Sequence, residues 1–313
     1  MQNRREYSVI GAPSILGLRP TGVELLPKVL GTAGLLEGLN AEYGGTITPS
    51  SPYNYNRDEE TKLLNPEAIK AYSLRLAEIV KLVLHKNKFP VVLGGDCSIL
   101  IGNLLALRRL GRYRLFFIDG HADFYRPEES PTGEVADMDL AIVSGHGPDI
   151  LSNIDDLKPL VMEQDIVVFG YRDAGQSAQY ECQNIKNTIM MNTLELTDVQ
   201  RLGLTNAASI DRLLKNDLSG SWIHLDADVL DDSIMPAVDY RLPGGLTFPE
   251  LSDLLKLLLV SNRAVGISVT ILNPTLDNDG AITRNFVSSL VQGLSYRDSY
   301  DSLFTYATKL KNV

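Results

Sequence analysis

Leu115-Phe116-Phe117-Ile118-Asp119-Gly120-His121-Ala122-Asp123 is an apolar run that ends abruptly in three ligand-type side chains. Four consecutive large apolar residues need cover on both faces of a strand, as in a parallel sheet held between two layers of helices. Open parallel sheets gather their chemistry beyond the carboxyl ends of the strands, where this Asp-x-His-x-Asp lies. Extended backbone points alternate side chains the same way, so Asp119, His121 and Asp123 are expected to converge.

Two other runs repeat the pattern. Val91-Val92-Leu93 leads into Gly94-Gly95-Asp96-Cys97-Ser98, and Trp222-Ile223-His224-Leu225 leads into Asp226-Ala227-Asp228. Strands are predicted at residues 7–10, 90–93, 115–119, 165–169, 222–226 and 265–272, which together are rich in Val, Ile and Phe. Helices are predicted from Asn65-Pro66, a cap followed by proline at the first helical position, to about Lys86, and at residues 99–110, 211–214, 248–259 and 283–294. This alternation predicts an α/β fold, a three-layer α/β/α sandwich on a mainly parallel sheet. With no linker, low-complexity tract or internal repeat, residues 1–313 are expected to form a single domain.

Composition narrows the function classes. Hydrophobic residues make up 44% of the chain and charged ones 22%, which excludes disorder and collagen-like or disulfide-scaffold architectures. A formal net charge of −10 argues against a nucleic-acid partner and allows carboxylates gathered around cations. Two cysteines, Cys97 and Cys182, suit a reducing compartment. No apolar run approaches the roughly 18 residues of a membrane span. Residues 7–18, broken by Gly11 and Pro13, read as a first strand and turn rather than a signal sequence. A cytoplasmic protein with no membrane partner is expected.

One thiol, one imidazole and four carboxylates thus sit at three strand ends. An isolated Asp-x-Asp is most often a turn or cap, a lone His an ordinary hydrogen-bonded residue, and Gly-Gly-Asp a turn. Together, several carboxylates in one place repel unless cations compensate, and a two-metal site is the natural reading.

In this order the motifs resemble those of the ureohydrolases, the arginase, agmatinase and formimidoylglutamase family of binuclear manganese hydrolases. That family shows Gly-Gly-Asp-His-Ser, Asp-Ala-His-x-Asp, and Asp-x-Asp followed by Pro-Ala and Gly-Gly-Leu; here Pro236-Ala237 and Gly244-Gly245-Leu246 follow. Ile10-Gly11-Ala12-Pro13, Gly22-Val23-Glu24, Gly170-Tyr171-Arg172-Asp173 and Asn273-Pro274 extend the likeness over about residues 7–295. The resemblance implies that Asp119 and Asp226 bridge two metal ions. Cys97 and Asp123 would complete one shell, His121 and Asp228 the other, with water activated between the ions to attack an amidine carbon. Asp123 would also orient that water, which makes it the implied catalytic residue. The substrate mouth would be formed by Tyr125, Arg172, Asp173, Tyr240 and Ile271, with Arg172 either drawing in a substrate carboxylate or pairing with Asp173. A trimeric or hexameric assembly is implied as well.

The chain departs from that pattern at four places. Cys97 stands where the family has its first metal-binding His, and a thiolate moves preference from Mn²⁺ towards Zn²⁺, Fe²⁺, Co²⁺ or Ni²⁺. Cys97 also reads as a small buried hydrophobe. Ala136 occupies the place of a proton-shuttling His, for which Glu134, Asp137, Asp139 or His146 are the substitutes nearby. Ile271 stands in place of a guanidinium-pairing Glu, and Gly175 in place of an amine-reading Asp. The expected function is therefore metal-dependent hydrolysis of a linear C–N bond in a small guanidino or amidine compound other than plain L-arginine. The alternative is an inactive family member with a structural or regulatory role.

Overall fold

The computed structural model describes residues 5–173, 175, 185, 192–194, 218–260 and 263–295. The described strands form one parallel sheet: β1 (Tyr7–Ala12), β2 (Glu42–Thr46), β3 (Phe89–Gly94), β4 (Tyr113–Ile118), β5 (Ile166–Phe169), β6 (Asn192–Leu194), β7 (Gly220–Asp226) and β8 (Ala264–Thr270). Their order is β2-β1-β3-β8-β7-β4-β5-β6, and every pairing is parallel. Four strands from distant parts of the sequence, β3, β8, β7 and β4, therefore lie side by side in the middle.

The alternation of side chains sends two separate cores to the two faces. Val9, Val91, Leu93, Phe116, Ile118, Ile223, Leu225, Ile267 and Val269 face one way. They pack on residues of α1 (Leu26–Thr32), α2 (Leu35–Leu39), α7 (Phe248–Val260) and α8 (Ala281–Leu294). Ile10, Val92, Leu115, Phe117, Ile166, Val168 and Trp222 face the other way. Their cover is α3 (Pro66–His85), α4 (Ile99–Arg108), α5 (Asp139–Val143) and α6 (Asp149–Ser152). This is the three-layer α/β/α sandwich predicted from the doubly apolar strands. Among the described residues no helix is long and apolar enough to cross a membrane.

Several local expectations change. The edge strand β2, Glu42-Tyr-Gly-Gly-Thr46, escapes hydrophobic patterning because it is mostly exposed. Strand β8 stops at Thr270, because Ile271 turns into the left-handed region at φ 70°, rare for a β-branched residue. Pro66 does open α3, but Asn65 does not cap it. Its side chain instead accepts from Asn54 N at 2.7 Å and donates to Leu16 O at 3.0 Å, tying two loops together. The helix expected at residues 211–214 and Cys182 lie outside the described residues.

Candidate metal centre

Asp119 follows β4, Cys97 follows β3, Asp226 closes β7 and Thr270 closes β8, so four adjacent strand ends meet over one spot. The convergence is not produced by extended backbone. Asp119 Oδ1 accepts the His121 backbone N–H at 2.7 Å, and Asp226 Oδ1 accepts that of Asp228 at 2.7 Å. Both are carboxylate turns two residues wide, in which the side chain itself folds the loop. A third bond, Gly120 N to Asp228 Oδ1 at 3.0 Å, fastens one loop to the other. Asp123 sits at φ 43°, in the left-handed region, so the run from Asp119 to Asp123 curls rather than continuing the strand.

Two sets of potential ligand atoms result. Asp119, His121 and Asp228 form one and Cys97, Asp119 and Asp226 the other, with ligand atoms within 4.8 Å of one another in each. His121 Nδ1 lies 2.9 Å from Asp228 Oδ2 and 3.8 Å from Asp119 Oδ1. Cys97 Sγ lies 2.9 Å from Asp226 Oδ2 and 3.0 Å from Thr270 Oγ1. Asp123 belongs to neither set, although it is buried. Burial first, then the charges of Asp119 and Asp139, push its carboxyl well above the usual range.

The electrostatics describe a site short of positive charge. Burial, reinforced by Asp228, raises the Asp119 carboxyl, and burial with Asp228 and Asp119 raises that of Asp226. Burial with Asp226 and Asp139 holds the Cys97 thiol well up. Burial alone would lower the His121 imidazole, but Asp228 and Asp119 outweigh it and hold the ring well above its ordinary value. Asp228 is lowered despite its burial, by His121 and the Gly120 N–H. A divalent cation would replace protons at such a site. Asp119 Oδ2, fully buried and without a hydrogen-bond partner, is an oxygen of the kind a metal ion satisfies. The donor set therefore fits the two ions that the motifs suggest.

The expected substrate mouth divides. Tyr240, 40% exposed, sets its ring edge-on to His121 with centroids 6.4 Å apart, and its hydroxyl donates to Glu134 Oε2 at 2.9 Å. Arg19 pairs with the other oxygen of Glu134 at 3.0 Å. Tyr125 is partly buried against the α3–α4 side of the sheet, and Asp173 is buried. Ile271 is not a rim residue: it is 5% exposed and belongs to the apolar core beneath. Arg172 differs most. Its guanidinium donates to the carbonyls of Asp228 (2.8 Å), Leu230 (3.2 Å), Leu242 (2.9 Å), Pro243 (3.1 Å), Gly170 (3.3 Å) and Val229 (3.4 Å). It clamps the loops after β5 and β7 instead of pairing with Asp173 or waiting for a carboxylate.

The four stand-ins for the missing His also separate. His146 pairs with Glu163 at 2.6 Å away from the cluster. Glu134 is engaged by Tyr240 and Arg19. Asp137 is partly buried, its carboxyl raised to about 7 by desolvation and by Glu134, and it accepts from Thr132 Oγ1 at 3.0 Å. Asp139 lies deeper, in a third set of ligand atoms with Cys97 and His224. Patterning missed His224, whose signal was its place two residues before Asp226 on the same face of β7.

The comparisons with known proteins follow this geometry. A family profile described as the arginase family matches residues 5–295. An arginase of Bacillus subtilis (strain 168) is 31% identical over 298 residues, covering 93% of this chain and 97% of its own. An arginase of Staphylococcus aureus (strain COL) is 29% identical over 299 residues, covering 92% and 96%. The crystal structure of arginase from Bacillus cereus superposes with a TM-score of 0.81 at 26% identity, covering 94% of this chain and 99% of that one. The sheet order, the paired ligand sets and these likenesses agree: the chain belongs to the arginase family of metal-dependent amidinohydrolases.

Proposed function

We propose that the protein hydrolyses the linear C–N bond of a small guanidino or amidine compound other than plain L-arginine. One observation carries the reading: Asp119 belongs to both ligand sets at the strand ends, so a single carboxylate can serve two neighbouring cations. His121 and Asp228 would hold one of them, and Cys97 and Asp226 the other. Asp123, buried near both sets and a member of neither, would hold a proton or orient a water. Bound there, two divalent ions would supply Lewis acidity and a water made nucleophilic at neutral pH. The thiol at Cys97 favours Zn²⁺, Fe²⁺, Co²⁺ or Ni²⁺ over Mn²⁺ at its position.

Selectivity follows from what the site offers and what its surroundings withhold. At Ile271 an aliphatic side chain in an apolar core offers a guanidinium no partner. Gly175 is exposed, with no atom within 4 Å of where a Cβ would stand, and offers nothing to an α-amino group. Tyr240 and the carboxylates of Glu134 and Asp137 form the polar wall beside His121. That wall suits a modified guanidine or a formimino group better than free arginine. A screen for urea, ammonia and amine release over guanidino and formimino compounds tests it, with each metal supplied in turn. Turnover of at least one such compound supports the reading, and none with any metal rejects it in favour of a non-catalytic role.

A further inference from the structure

Below the expected cluster, on the α3–α5 side of the sheet, lies a second group of buried polar atoms. Asp139 and His224 are both fully buried. Neither oxygen of Asp139 has a hydrogen-bond partner, and neither does His224 Nε2. His224 Nε2 stands 3.8 Å from Asp139 Oδ2, too far for a hydrogen bond. The Cys97 sulfur completes the group, with the three ligand atoms within 4.8 Å of one another. Orphaned polar atoms on two fully buried side chains this close together are costly unless something between them satisfies them.

The support behind His224 matches that of a metal-binding imidazole. Its Nδ1 lies 3.0 Å from Ser268 Oγ, which also accepts the indole N–H of Trp222 at 3.1 Å. A serine oxygen can accept twice, so Nδ1–H can donate to it and leave the Nε2 lone pair facing Cys97 and Asp139. Phe117 stacks on the ring at 5.1 Å and fixes its plane.

We propose that Cys97 Sγ, a carboxylate oxygen of Asp139 and His224 Nε2 bind a divalent transition-metal ion. One sulfur, one nitrogen and one oxygen donor, with a fourth position left for water, match Zn²⁺ or Co²⁺ and disfavour Mg²⁺ and Ca²⁺. Binding displaces the thiol proton of Cys97 to solvent as the metal–sulfur bond forms. The site shares Cys97 with the cluster above, but His121 and Asp228 take no part in it.

Zinc binding to the full-length protein tests this without reference to turnover, so loss of the hydrolase reading leaves the test intact. In a folded His121→Asn variant, His224 is the one remaining imidazole near the cluster among the four histidines of the chain. With one equivalent of Zn²⁺, X-ray absorption should show a sulfur shell at about 2.3 Å and an imidazole nitrogen at about 2.0–2.1 Å. His224→Gln and Asp139→Asn should each weaken Zn²⁺ binding by at least about tenfold. Should a variant fail to fold, imidazole ¹⁵N resonances of the wild-type protein serve instead, with the His224 Nε2 signal shifting on Zn²⁺ addition. An oxygen-only shell, a static His224 signal, or equal affinities in all variants would mean that ordered water satisfies these atoms, and would overturn the proposal.

Discussion

His121 Nδ1 and Asp228 Oδ2 meet at 2.9 Å, although they stand on loops that follow different strands. The contact exists because Asp119 folds one loop and Asp226 the other, each through a bond to the backbone two residues on. Ligand placement in this protein is thus a property of three carboxylates and one imidazole acting together. Replacing His121 or Asp228 by Asn should cut kcat/KM and metal affinity by more than about 100-fold, since loss of a mere outer-shell partner costs about 10–100-fold. Metal titration by calorimetry, with circular dichroism to confirm folding, checks it.

Arg172 provides a second prediction. Its six carbonyl contacts hold the segment that carries Asp228, and a lysine cannot reproduce that planar fork. Arg172→Lys should cost about 2–4 kcal/mol in denaturant unfolding, because several carbonyls lose charged donors. If Arg172 served mainly to attract substrate, stability would be unchanged and KM alone would rise.

Restoring a carboxylate at the departure from the family pattern should not restore arginine recognition. Ile271 lies in the apolar core, so Ile271→Glu buries an unpaired acid and should destabilise the protein by several kcal/mol. Arginine turnover measured on whatever folds should stay near wild-type background. A clear gain in arginine hydrolysis would show that the side chain at this position faces the substrate.

Acid stability should report on the loop after β7. Asp231 accepts from the Ser233 hydroxyl and backbone N–H and from the Gly244 and Gly245 N–H groups, which lower its carboxyl to about 2. A depressed carboxyl contributes stability that is complete above the unfolded value near 4 and fades as pH falls towards 2. The denaturant midpoints of wild type and Asp231→Asn should therefore differ most above pH 4 and converge as pH drops to 2. A constant difference across that window would contradict the assignment.

The central sheet was legible because β3, β4, β5, β7 and β8 carry consecutive apolar residues, a pattern that only cover on both faces explains. Glu42–Thr46 was not legible, since an exposed edge strand with two glycines lacks that signature. Within the site, residue types and strand ends were readable, but loop geometry was not. Nothing in Asp119–Asp123 announces a carboxylate turn rather than extended chain, and nothing local to Arg172 reveals carbonyl partners some 70 positions away. His224 hid in plain sight, for a polar residue inside a strand run reads as an interruption until its neighbours on β4 and β8 are known.

The most direct test loads the purified protein with Mn²⁺, Ni²⁺, Zn²⁺ or Fe²⁺ in turn and compares L-arginine with a panel of modified guanidines and formimino compounds in one product-release assay. The account predicts turnover of at least one panel compound, with arginine lower in kcat/KM by roughly two to four orders of magnitude, the cost of two missing charged contacts. Arginine turnover at about 10 s⁻¹ or faster, an ordinary enzymatic rate, would contradict it.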